Sequence, residues 1–124
     1  MKYMCIAYEE ERKLNELSTG EWQALRQETL DYVTSLQESG RLLAAHPLQS
    51  ATKAATVRIR NGKIAVTDGP FAETKEQIGG FFLIEAADFN EAIQIATMWP
   101  SARIGTIEVR PIDDGLRTDR RYGR

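Results

Sequence analysis

The sequence is poor in the residues that hold metals and cross-links: its 124 residues include one cysteine, Cys5, and one histidine, His46. A single cysteine excludes an internal disulfide and any multi-cysteine metal site. With one histidine beside it, the usual His/Cys zinc arrangements are excluded as well. Long hydrophobic runs are also missing. The opening stretch "MKYMCIAYEEERK" is apolar over too few residues for a signal peptide or a membrane span, and acids follow at once. A cytoplasmic protein is therefore expected. Charge of one sign is scarce too, since 16 Lys and Arg stand against 18 Asp and Glu for a net −2. So balanced a chain has no general pull toward nucleic acid or anionic membrane. Neither nucleotide-binding glycine motif is present, and Gly79-Gly80 suggests a bulge or a close backbone approach instead.

What is present describes one globular domain, with 42% hydrophobic and 27% charged residues. Roughly two-thirds of the unfolded surface is buried by a chain of this size, enough for one core. "KYMCIAY" (2–8) reads as a strand and "EEERKLNEL" as a polar link. Ser18 with Glu21 three places on forms a capping box. The stripe Trp22, Leu25, Thr29, Tyr32, Val33 and Leu36 then marks a helix that Gly40 ends. "RLLAAHPL" is a second strand. In "ATVRIRNGKIAVTD" the Asn61-Gly62 pair suits a type I′ turn, so Val57 faces Val66 and Ile59 faces Ile64 on one side of a hairpin. "GGFFLIEAA" reads as a buried strand. Asp88 with Glu91 opens a second capped helix through Trp99, which Pro100 ends, and "TIEVRPI" closes the fold.

The order β-α-β-(hairpin)-β-α-β predicts an α+β, ferredoxin-like antiparallel sheet. Helices can cover only one face of it. Either Phe81/Leu83 or Phe82/Ile84 must then point to the other face, where a homodimer packing sheet on sheet would cover them.

The stretch "TDGPFAETKE" is the part with chemical potential. Asp68 shares strand parity with Ile64 and Val66, which aims it at the apolar face; Gly69 and Pro70 set the bend, and Phe71 is expected to plug the turn into the body. Asp68 has two readings. It can make an Asx turn onto the amides of Phe71 or Ala72, or it can be a pocket acid whose basicity rises with burial. His46 lies in phase with Leu42, Ala44 and Leu48, as either a structural residue or the partner of Asp68. In the second case the aspartate would orient one ring nitrogen and leave the other to move a proton. Cys5 reads as a small core residue, Glu73, Lys75 and Glu76 as a solvated charge cluster, and Arg117, Arg120, Arg121 and Arg124 as a solvated end.

"VTDGPFAETKEQIGGFFLIE", followed by "SARIGTIEVRPI", closely resembles the DGPF family of YciI-like (YCII-related) proteins. The likeness runs from Met1 to about Ile112, leaving residues 113–124 as a flexible tail. It implies a ferredoxin-like fold that pairs into a dimeric α+β barrel. It also implies a cleft in each subunit where, in the broader group, a His–Asp pair has been proposed as an active site. By position Asp68 is the aspartate of the motif and His46 a looser match to the histidine; Phe71, Glu73 and Lys75 are the expected substrate-pocket residues. Relatives of this type occur beside or fused to sigma factors of the extracytoplasmic class, which implies a link to transcription. The expected function is acid/base chemistry on a small organic molecule through Asp68, with or without His46 and without a cofactor. The alternatives are a ligand-sensing or partner-binding module tied to transcription, and a scaffold dimer in which the turn only ties hairpin to body.

Overall fold

Two antiparallel sheets form, and they differ in what covers them. The computed structural model describes residues 1–113, so the expected tail beyond Asp113 lies outside the described residues. The elements are β1 (Lys2–Glu9), α1 (Glu11–Asn15), α2 (Thr19–Glu38), β2 (Leu42–Pro47), β3 (Ala55–Arg60), β4 (Lys63–Asp68), β5 (Gln77–Glu85), α3 (Phe89–Thr97) and β6 (Thr106–Pro111). Four strands pair in the order β2-β5-β1-β6, while β3 and β4 form a separate hairpin. This is the expected α+β, ferredoxin-like arrangement with one addition. The polar link contains α1, held by local charge pairs (Lys13–Glu10 at 3.6 Å, Arg12–Glu16 at 3.3 Å) and burying nothing. Such a helix has no apolar stripe by which to announce itself.

The caps act much as their residues suggest. Ser18 accepts from the Glu21 amide at 3.1 Å and Glu21 returns the bond to the Ser18 amide at 2.9 Å. Gly40 takes φ +72°, letting the Arg41 amide reach back to the Leu36 carbonyl at 2.9 Å. Asp88 caps α3 through the Glu91 amide at 2.8 Å. The reciprocal half of that second box is absent because the Glu91 carboxylate turns instead toward Arg41, 3.6 Å away.

Side-chain alternation decides the core. Tyr3 and Cys5 from β1 and Phe82 and Ile84 from β5 point to the helical side and are essentially fully buried. There they meet Leu36 of α2, Ala92 and Ile95 of α3, and Trp99. The Phe82 ring lies on Trp99 with centroids 3.9 Å apart, and the Tyr32 hydroxyl bonds the Ile95 carbonyl at 2.7 Å, tying α2 to α3. The core contacts of α2 come from Tyr32, Val33 and Leu36 toward its end; Trp22 near its start and Leu30 beyond its middle remain exposed. Phe81 and Leu83, with Met4 and Ile6 of β1, take the opposite, uncovered face.

Because Phe82 is fully buried and stacked, Phe82→Ala is expected to lower stability by about 3–5 kcal/mol through the cavity it leaves. Ser18→Ala should cost only about 1 kcal/mol, the usual value of a helix cap. The urea midpoints of the two variants check the order.

Candidate functional site

Two loops and one end of the sheet enclose a cleft. On the first side the chain leaves β2 through Leu48, whose amide bonds the Gly79 carbonyl at 2.8 Å. It then turns at Ser50. The Glu11 carboxylate fixes that turn, accepting from the Ser50 hydroxyl at 2.8 Å and the Ala51 amide at 2.7 Å. On the second side Gly69 adopts φ +99° at the end of β4, a conformation open to glycine and strained for most other residues. Its amide bonds the Ala54 carbonyl at 2.7 Å, and its carbonyl accepts from the Thr56 hydroxyl at 3.0 Å. The loop that follows is pinned by Gln77, which donates to the carbonyls of Ala72 and Thr74, each at 2.8 Å.

The floor comes from a β-bulge. Register shifts between Ala7 and Tyr8, so Tyr8 stands opposite Ile78 and Gly79 is left over. A Cβ on Gly80 would come within 2.9 Å of the His46 carbonyl, and one on Gly79 would overlap the Glu9 carboxylate. The Gly-Gly pair thus serves both a bulge and a close backbone approach. The resulting space is about 630 Å³, walled by Tyr8, Leu48, Pro70, Phe71 and Ile78, with Lys53 as its cation. That volume suits a small organic ligand.

The proposed site residues distribute unevenly around it. Phe71 lines the cleft but does not plug the turn into the body: it is 78% exposed, with the Arg58 guanidinium 5.4 Å from its ring centroid. The loop closes on its own carbonyls through Gln77, leaving the ring at the rim rather than in a core. Asp68 ends β4 opposite Ala55 and keeps the parity expected of it, yet it is exposed because the face it shares with Ile64 and Val66 is itself uncovered. The Asx turn is not made either, since the backbone of Gly69 and the hydroxyl of Thr56 hold this bend instead. Glu73 and Lys75 are exposed on the same loop and lie outside the residues that line the cleft. His46 sits on the uncovered sheet face, its ring 5.6 Å from that of Phe81. Among the described residues no hydrogen bond or ion pair joins His46 to Asp68 within the single chain. Cys5 is fully buried, and burial pushes its thiol up to about 12, the behaviour of a core residue rather than a nucleophile.

Lys53 and Ser50 were not legible as site residues, since nothing in "LQSATKAA" marks a functional spacing. Glu9 was missed for a similar reason. It reads as the first acid of a polar link, but it is half-buried at the end of β1 and borders a second hollow of about 550 Å³ with Leu14, Leu17 and Trp22. Burial raises its carboxyl pKa, and the nearby Glu11 charge adds to the rise.

Comparison with known proteins gives three likenesses of different weight. The family model described as the YCII-related domain matches residues 1–114. An uncharacterised protein of Rhizobium meliloti (strain 1021) is 36% identical over 114 residues, covering 90% of this chain and 92% of that protein. Among solved structures, 5-chloro-2-hydroxyhydroquinone dehydrochlorinase (TftG) from Burkholderia phenoliruptrix AC1100, in complex with 2,5-dihydroxybenzoquinone, is similar in fold. The TM-score is 0.53 at 13% identity, covering 94% of this chain and 98% of that one.

The environment of Glu9 makes stability depend on pH in a defined direction. Its pKa in the fold lies above the ordinary 4.5, so ionisation is penalised at neutral pH and the penalty is relieved as pH falls through the raised value. Glu9→Gln is accordingly expected to be more stable than wild type at pH 7, with the gap narrowing as pH approaches 4.5. Urea titrations across that window measure it; a gap that widens on acidification would contradict the assignment.

Proposed function

Because this chain belongs to the YCII-related domain family, we propose that it is a cytoplasmic homodimer performing acid/base chemistry on a small organic molecule in the cleft beside the Asp68–Phe71 turn. Asp68 is the proton-transfer group, with or without His46. The observation that carries this reading is the cleft itself: about 630 Å³, walled by Tyr8 and Phe71 and bordered by Lys53, with its lining beginning at Pro70, the residue after the Asp68-Gly69 corner, so that Asp68 stands just outside it.

An exposed carboxylate becomes a stronger base once a ligand or a second subunit takes it out of water, because desolvation penalises the charged form. A base with pKa near the working pH transfers protons most effectively. In this reading Asp68 takes a proton from a hydroxyl or an activated C–H of the ligand. The negative charge left behind is met by the Lys53 ammonium, and the proton returns from Asp68 or from water. Phe71 and Tyr8 give a flat ring something to lie on. The fold likeness to a protein holding a dihydroxybenzoquinone makes hydroxylated ring compounds the first ligands to try.

Homodimerisation is supported by the uncovered face of the four-stranded sheet. Met4, Ile6, Phe81 and Leu83 stand there half-exposed, with His46 beside Phe81 on the edge strand, and the helices of the described residues occupy only the other side. A second copy would bury that histidine together with the apolar side chains, the condition under which a partner carboxylate matters most.

The test is solvent-deuterium exchange into a panel of hydroxylated benzoquinones and hydroquinones, followed by NMR. Wild type is expected to accelerate exchange and Asp68→Asn to lose about 10²–10⁴-fold of it, the usual contribution of a positioned acid or base. An Asp68→Asn variant as active as wild type would remove Asp68 from the chemistry. Ligand binding by thermal shift with no exchange at all would favour the alternative, a ligand-sensing module. For the pair, the His46 pKa is measured in wild type and in Asp68→Asn. Coupling requires the two values to differ.

A further inference from the structure

The β3–β4 arm is the element least accounted for by its own chain. A two-stranded hairpin standing alone is marginally stable at best in water, and needs further strands or an apolar surface against it. Among the described residues the arm has neither. Its ladder runs only between β3 and β4, and Val57, Ile59, Ile64 and Val66 on one face remain 62%, 61%, 72% and 64% exposed. Four β-branched residues in cross-strand register are what a strand pair needs to pack on something. Strands of this length reach about 20 Å from their base, so the Asn61-Gly62 tip stands well away from the cleft that the base borders.

We propose that the arm clasps a second copy of this chain, its Val57/Ile59/Ile64/Val66 strip packing on the partner as a continuation of the paired sheet faces. The areas favour this occupant. At the observed exposures the strip offers on the order of 300 Å² of apolar surface per copy, whereas a stable interface takes about 800 Å² from each partner. The strip falls short alone, and so does a sheet face contributing four half-exposed side chains, Met4, Ile6, Phe81 and Leu83. Both surfaces belong to one chain, so a two-fold axis uses each of them twice. The reverse of the arm carries Arg58, Arg60 and Lys63 and no acid. Cations on a free strand pair discourage open-ended edge pairing, which leaves face packing in a closed pair.

This inference rests on the dimer proposed above, and one experiment separates the two. Sedimentation equilibrium is run on wild type and on the double variant Ile59→Lys/Ile64→Lys. Wild type is expected to be a dimer, and two buried lysines per arm should raise the dissociation constant by roughly a hundredfold or more. A monomeric wild type overturns both the dimer and the clasp. A double variant that pairs as tightly as wild type overturns the clasp alone. Amide hydrogen exchange guards against misfolding. Protection of the β3–β4 amides should rise with wild-type concentration and stay low in the variant, while the β1–β5 amides stay protected in both. Arm amides in wild type whose exchange ignores concentration would equally overturn the clasp.

Discussion

Phe82 lying flat on Trp99 is the contact that joins the central strand to the helical layer, and it determines which way everything else on β5 must face. Once Phe82 and Ile84 point inward, alternation sends Phe81 and Leu83 outward, and pairing carries the same choice to Met4 and Ile6 on β1. His46 follows, because it sits opposite Phe81 in the β2–β5 ladder. One aromatic stack therefore places the single histidine on the side of the sheet that helices do not reach.

The cleft depends on a second constraint, the missing side chains at Gly79 and Gly80. Without a Cβ there, β1 can bulge, Glu9 can lie across β5, and β2 can approach closely enough for Leu48 to bond the Gly79 carbonyl. Tyr8 and Ile78 come to the cleft floor by that bulge, while Glu11 and Gln77 hold the two walls with side-chain bonds to backbone. Binding walls made this way are positioned by hydrogen bonds rather than by a core, which suits a surface that must close around something.

Much of the fold was readable from residue pattern. The Asn61-Gly62 turn and its flanking alternation set the hairpin register to the residue, and Ser18 and Asp88 marked both long helix starts. The error at Asp68 came from assuming that an apolar face is a covered face. Parity correctly put Asp68 beside Ile64 and Val66, but parity says nothing about whether that side meets a neighbour within the same chain. Phe71 was misplaced for a different reason, because its loop closes on its own carbonyls through Gln77 and leaves the ring at the rim. Lys53 and Glu9 escaped notice because their roles come from long-range approach, with residues from the loop after β2 and from β5 meeting elements far away in sequence. The His46–Asp68 relation is of this kind too, since the two residues lie in separate sheets.

Cys5 carries one more consequence. Its sulfur is sealed in the middle of β1, beneath the helices and flanked by β5 and β6, and its thiol resists ionisation. A labelling reagent can therefore react only with molecules in which the core between the helices and the central strands has opened. The protein carries its own stopwatch for opening of that core, silent to motions of the arm, the loops or the cleft.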